Sequence, residues 1–113
     1  MSKYRSRKVT VDGETFDSKK EYKRWKELQL LEKAGEIRNL RRQVKYRLLP
    51  SQYIYKDGEK PVCVERPVSY IADFVYDTPA ETIVEDCKGF HTKEYILKRK
   101  MMLYLKNIRI QEV

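Results

Sequence analysis

A single acid interrupts an otherwise apolar strand. Tyr70-Ile-Ala-Asp73-Phe-Val-Tyr76 has the composition of a buried strand with one carboxylate in it. Among Ile71, Phe74 and Val75, a bare carboxylate is expensive to bury unless something pairs with it. The next apolar run, Thr82-Ile-Val-Glu-Asp86-Cys-Lys88, follows a turn at Asp77-Thr-Pro-Ala80 and is predicted as its antiparallel hairpin partner. Side chains alternate along a strand, so Asp86 and Lys88 share one face while Glu85 and Cys87 take the other. Pairing of the two strands can bring Asp73 beside Asp86. Two carboxylates so placed repel each other, and Lys88 or a divalent cation would resolve the conflict.

The rest of the chain is organised around this hairpin. At 113 residues it makes one domain, 1–113, without linker, repeat or low-complexity stretch. Residues 1–16 read as a basic tail with a short extended piece, Lys8-Val-Thr-Val11, and a turn at Asp12-Gly13. A helix is predicted over 18–34. It opens with the capping box Ser18-Lys-Lys-Glu21, stops at Gly35, and has Tyr22, Trp25, Leu28 and Leu31 as its core face. Residues 42–55 read as a strand with Val44, Tyr46 and Leu48 alternating against polar neighbours. A turn at Asp57-Gly58 and a Pro-bounded segment, 61–67, lead to the strand 68–76 and then to 82–88. A second helix is predicted over 93–106 with Leu97, Met101, Tyr104 and Leu105 as its apolar stripe, and 108–113 as a closing strand. Helix, three strands, helix, strand is an α/β arrangement with a mixed sheet flanked by helices, because a helical crossover joins the last two strands.

Charge points to the partner. Lys and Arg number 25 against 17 Asp and Glu, a net +8, which suits a polyanion such as nucleic acid. The excess is clustered. Residues 1–10 and 38–47 carry bases without an acid, and 93–100 carry Lys93, Lys98, Arg99 and Lys100 against Glu94 alone. Residues 71–87 reverse this, with Asp73, Asp77, Glu81, Glu85 and Asp86 and no base. Binding alone gains nothing from concentrated carboxylates, which repel phosphate, whereas a metal-dependent enzyme acting on phosphates needs both features. Arg41, Arg42, Lys45, Lys93, Lys98 and Lys100 are the candidate DNA contacts. Two cysteines and one histidine are too few for a disulfide scaffold or a structural zinc site. No apolar run resembles a signal peptide or a membrane span. A reducing, cytoplasmic setting is expected, and any metal would be a hard one held by carboxylates.

A carboxylate pair can hold Mg²⁺ or Mn²⁺, which keeps its waters and recruits phosphate oxygens. Such an ion lowers the pKa of a bound water, and Lys88 would orient that water or neutralise developing charge. Gly89 leaves room for a nucleic-acid backbone to approach. Asp73 followed by Asp86-Cys87-Lys88 on consecutive strands behind a helix resembles the PD-(D/E)XK nuclease superfamily. Phe16-Asp-Ser-Lys-Lys-Glu21, Leu31-Glu-Lys-Ala-Gly-Glu-Ile37, Ile71-Ala-Asp-Phe-Val-Tyr76 and Val84-Glu-Asp-Cys-Lys-Gly89 are similar to a small phage and prophage group within it. Two departures stand out: Ala72 replaces the proline before Asp73, and the second acid is the shorter aspartate.

The resemblance implies a restriction-endonuclease-like core of order α-β-β-β-α-β. It implies Asp73, Asp86, Glu21 and the backbone carbonyl of Cys87 as metal ligands, and Lys88 as the catalytic lysine. Glu21, at helical spacing from Trp25 and Leu28, points inward. Competing readings stand beside these. Glu21 also fits a helix cap, and Asp86 with Lys88 fits an exposed ion pair on an edge strand. Gln43 fits either a place near the metal or an ordinary polar strand position. Cys87 fits a small apolar filler, His91 a surface histidine rather than a general base, and Met101-Met102 the core.

The expected function is a Mg²⁺- or Mn²⁺-dependent endodeoxyribonuclease of phage type, a hydrolase of DNA phosphodiesters with low sequence specificity. By resemblance to small resolvases it would act on branched or recombination intermediates, as a homodimer, in the bacterial host cytoplasm if phage-encoded. A catalytically inactive DNA-binding module of the same fold is the alternative, and an RNA-directed nuclease a third reading.

Overall fold

The computed structural model of the protein describes residues 7–113, so the tail cations Lys3 and Arg5 lie outside the described residues. The expected extended piece and the turn at Asp12-Gly13 are present, and after the turn the chain folds back as a second strand instead of remaining a tail. Strands β1 (Val9–Val11) and β2 (Glu14–Phe16) make an antiparallel hairpin around Asp12-Gly13, and Phe16 is buried beneath it. Gly13 supplies the left-handed conformation (φ +80°) that the tight turn requires.

Helix α1 (Lys19–Lys33) starts where the capping signal places it, because the Ser18 hydroxyl accepts the Glu21 N–H at 3.1 Å. It ends at Gly35, whose φ of +82° accompanies the return of its own N–H to the Glu32 carbonyl and of the Glu36 N–H to the Leu31 carbonyl. Leu28 is fully buried on its inner face, while Leu31 is 38% exposed and falls outside the core.

The main sheet is mixed and four-stranded, ordered β3-β6-β7-β8: β3 (Arg38–Leu49), β6 (Val68–Asp77), β7 (Thr82–Asp86) and β8 (Gln111–Glu112). The first two pairings are antiparallel, and β7 with β8 is parallel across the crossover through helix α2 (Lys93–Lys106). The predicted strand 42–55 is therefore two elements. β3 begins earlier and stops at Leu49, and Gln52–Ile54 (β4) pairs with Val62–Glu65 (β5) in a separate, exposed hairpin. The closing strand keeps only two residues of its predicted six.

Two apolar clusters cover opposite faces of this sheet. Leu28, Ile37, Phe74, Tyr76 and Ile83 pack on the α1 side, and Tyr70, Ala72, Val75, Val84, Tyr95, Met102 and Ile110 on the α2 side. Each fully buried large side chain contributes about 1.5–3 kcal/mol. The paired strands β3 and β6 change face at the same rung. On β6, Tyr70 and Ala72 belong to the α2 side but Phe74 and Tyr76 to the α1 side. On β3, Val44 and Tyr46 pack on the α2 side whereas Leu40 packs on the α1 side. The pairing runs on through Arg42 with Phe74 and Val44 with Ala72, so Gln43 faces Asp73 across the rung where alternation breaks. Gln43 has φ +52°, and this left-handed residue turns β3 over.

Helix α2 corrects the predicted stripe. It buries Tyr95 and Met102, with Ile96 and Met101 partly covered, while Leu97 (59%), Tyr104 (88%) and Leu105 (47%) face outward. Period alone could not choose between two faces that both carry apolar residues. The helix ends at Asn107, in the left-handed region at φ 56°. Asn107→Val, which puts a β-branched residue there, is expected to cost about 1–2 kcal/mol in urea unfolding, whereas Asn107→Gly should change stability by less than about 0.5 kcal/mol. Equal effects of the two would refute the backbone account. Among the described residues no helix is long and apolar enough to cross a membrane.

Candidate functional site

The broken rung and the start of α1 meet at a group of acids. Carboxylate oxygens of Asp17, Glu21 and Asp73 lie within 4.8 Å of one another. Glu21 is 2% and Asp73 7% exposed, while Asp17 sits at the solvent side. Glu21 completes only half of its capping box: its backbone N–H is capped by Ser18, but its carboxylate accepts from the Asp17 N–H at 3.2 Å rather than from Ser18. The side chain is thereby aimed at Asp73. The Gln43 amide sits between them, its Nε2 donating to Glu21 at 3.2 Å and to Asp73 at 3.4 Å. Of the two roles open to Gln43, the structure places it at the acids. A left-handed non-glycine residue in a strand costs on the order of 1–2 kcal/mol, and strain of that kind collects at functional positions.

Asp73 is held from its other side by the Cys87 backbone N–H, which donates to Oδ2 at 2.8 Å. One rung past the Phe74–Glu85 pair, Asp86 lies against it. Burial, and then the charge of Asp86, raise the Asp73 carboxyl to about 7. Burial and then Asp73 raise Glu21 as well. Asp86 is fully buried, which excludes an exposed edge-strand pair. Its Oδ2 accepts the Tyr70 hydroxyl at 2.5 Å. Lys88 Nζ approaches Oδ1 to 3.3 Å without the alignment of a hydrogen bond, so that contact is electrostatic. The same ammonium lies 5.0 Å from the Tyr95 ring centroid, and the lysine side chain is one-third exposed. Lys88 thus has one side on the buried acid and the other on solvent.

Cys87 packs beside the α1-side cluster, and burial pushes its thiol up to about 12, which leaves it protonated and a poor nucleophile. His91 turns away to Glu112, 2.9 Å from Nε2, and against the Tyr95 ring. Among the proposed DNA contacts, Arg42 is absorbed by the fold. It bonds the Thr15 carbonyl at 3.1 Å, pairs with Glu14 at 3.3 Å and Glu21 at 3.5 Å, and lies 3.9 Å over the Phe16 ring. Lys98 pairs with Glu94 one turn earlier at 3.0 Å. Arg41, Lys45, Lys93 and Lys100 remain exposed.

Sequence reasoning missed two members of this neighbourhood. Asp17 lies within the quoted segment Phe16–Glu21, but as the residue before a cap it carries no periodic signal. Glu85 is the second. It is wholly buried, gripped by Arg24 at 2.8 and 2.6 Å, and accepts the Tyr76 hydroxyl. Its expected direction, opposite to Asp86, is where Arg24 waits on α1. The spacing of Arg24 three residues after Glu21 was the available clue.

No curated protein and no solved structure matches the chain. A family described as "Protein of unknown function (DUF1064)" matches over residues 1–112, and the chain belongs to that family.

Proposed function

We propose that the protein is a metal-dependent phosphodiester hydrolase acting on DNA. The observation that carries this reading is the group of Asp17, Glu21 and Asp73, three oxygen donors within 4.8 Å of which the last two are buried, with the one-third exposed Lys88 beside it. All the donors are hard oxygens, so they fit Mg²⁺ or Mn²⁺ and not a soft metal. The raised carboxyls fit as well, since a cation here would replace protons that relieve the repulsion. When bound, that ion would polarise a phosphate oxygen and acidify a water.

The chain's own residues do the rest. Asp73, fixed by the Cys87 N–H, and Glu21, fixed by the Asp17 N–H, are held in place before any ion arrives. Lys88 presents an ammonium to the charge that develops on the phosphate, and Asp86 beneath it keeps that ammonium oriented. Exposed Arg41, Lys45, Lys93 and Lys100 supply sequence-independent contacts to the backbone. Among the described residues no helix presents a row of Asn, Gln and Arg to a major groove, which supports recognition of DNA shape over sequence. With the β1–β2 and β4–β5 hairpins set aside, the order α1-β3-β6-β7-α2-β8 supports the reading of a restriction-endonuclease-like core.

One observation favours a second reading, a DNA-binding module without catalysis: Asp86 is sealed from solvent and tied to Tyr70. A single panel separates the two. Supercoiled, linear and four-way-junction DNA are incubated with Mg²⁺, Mn²⁺ or EDTA. Ion-dependent cleavage is expected for the native protein, with a loss of at least about a hundredfold in Lys88→Ala and Asp86→Ala. Cleavage that survives both substitutions removes the site assignment. Tight binding without ion-dependent cleavage of any of the three establishes the silent module.

A further inference from the structure

The Gln43 amide sits between two of the acids that could hold a cation. Its Nε2 carries two hydrogens and faces one carboxylate with each, Glu21 at 3.2 Å and Asp73 at 3.4 Å. Those two acids contribute oxygens to the group that could hold a metal. A neutral amide donor between two carboxylates does weakly what an ion does strongly: it gives both a positive partner and keeps them from separating. Gln43 is itself exposed, so its side chain has solvent to turn into. Its backbone conformation, φ +52°, disfavours any side chain other than Gly, Asn or Asp. A structural role confined to the backbone would be met better by glycine, so a long amide at this rung calls for a role of the side chain.

We propose that the Gln43 amide is a displaceable stand-in for a divalent cation, cross-linking Glu21 and Asp73 while the acid group is empty and yielding its place when the ion binds. The inference rests on the metal-dependent reading above. It makes Gln43 a positioning residue, not a ligand. A group that binds only the ion-free state must oppose ion binding by the strength of its own contacts. Removing it therefore tightens the site. Arg42, 3.5 Å from Glu21, and Lys88, beside Asp86, stay in place in either state and do not substitute for the amide, because neither bridges Glu21 to Asp73.

The test is titration of the full chain with Mn²⁺ by calorimetry at pH 7.5, together with thermal unfolding in EDTA. Gln43→Gly keeps the left-handed backbone and deletes the amide. Gln43→Asn keeps the backbone and an amide too short to span both acids. Both variants are expected to bind Mn²⁺ about three- to tenfold more tightly than the native protein, the equivalent of one or two neutral hydrogen bonds. In EDTA the glycine variant should unfold no more than a few degrees away from the native protein. Native binding with unchanged or weaker Mn²⁺ affinity in both variants overturns the stand-in role alone. Absence of Mn²⁺ binding by the native protein overturns both this inference and the hydrolase reading.

Discussion

Asp73→Asn is expected to raise the thermal midpoint of the ion-free protein at pH 8 and, in the same molecule, to abolish ion-dependent cleavage. The Asp73 carboxyl titrates near 7 in the folded protein, against an ordinary value of 3.8. Between these values the folded state binds the proton that the unfolded state has released. Stability therefore falls as pH rises through this window and is flat above it. A shift of this size corresponds to a penalty on the order of 2–4 kcal/mol at pH 8. Asparagine removes the charge and keeps a carbonyl oxygen for the Cys87 N–H. For a chain of this length the gain is roughly 10 °C. The difference should shrink toward zero near pH 4, and millimolar Mn²⁺ should narrow it by stabilising only the native protein. Scans in EDTA from pH 4 to 8 decide the matter: an asparagine variant no more stable than the native protein at pH 8 would sink the idea of a repulsive acid group.

The second large effect lies on the other face of β7. Arg24→Ala is expected to destabilise the protein by about 3–5 kcal/mol, because it leaves Glu85 charged and fully buried with only the Tyr76 hydroxyl beside it. That is a large part of the total stability of a domain this size. The joint replacement Arg24→Met with Glu85→Leu removes both charges and should recover most of the loss, since a buried pair adds little over apolar packing of the same volume. Urea unfolding of the single and double variants gives the comparison. A double variant as unstable as Arg24→Ala would point to lost shape, and not to an orphaned charge.

Local signals carried the secondary structure well wherever chemistry fixed the ends. Ser18 and Gly35 bounded α1, Asn107 ended α2, and Asp73 stood out because an acid in an apolar strand needs a reason. What failed were choices that depend on the rest of the fold. Helix α2 is apolar on two sides, and only the packed sheet decides that Tyr95 and Met102 face inward. Arg42 looks like any cation in a basic run until Phe16, brought over by a hairpin that read as a tail, lies beneath its guanidinium. The face change at Gln43 was illegible for a related reason. Alternation of Val44, Tyr46 and Leu48 is regular on its own, and the inversion shows only against Leu40 and the α1 cluster.

That inversion also bears on how such a chain can vary. A single residue gained or lost in β3 near Gln43 would slide its apolar positions past those of β6 and strand one of the two clusters. A compensating change in β6, at the opposite rung, would restore both. The rung of Gln43 and Asp73 thus behaves as one piece. The β4–β5 hairpin lies outside this sheet and can change without disturbing the seam, while the two sides of the seam must move as a pair or stay fixed.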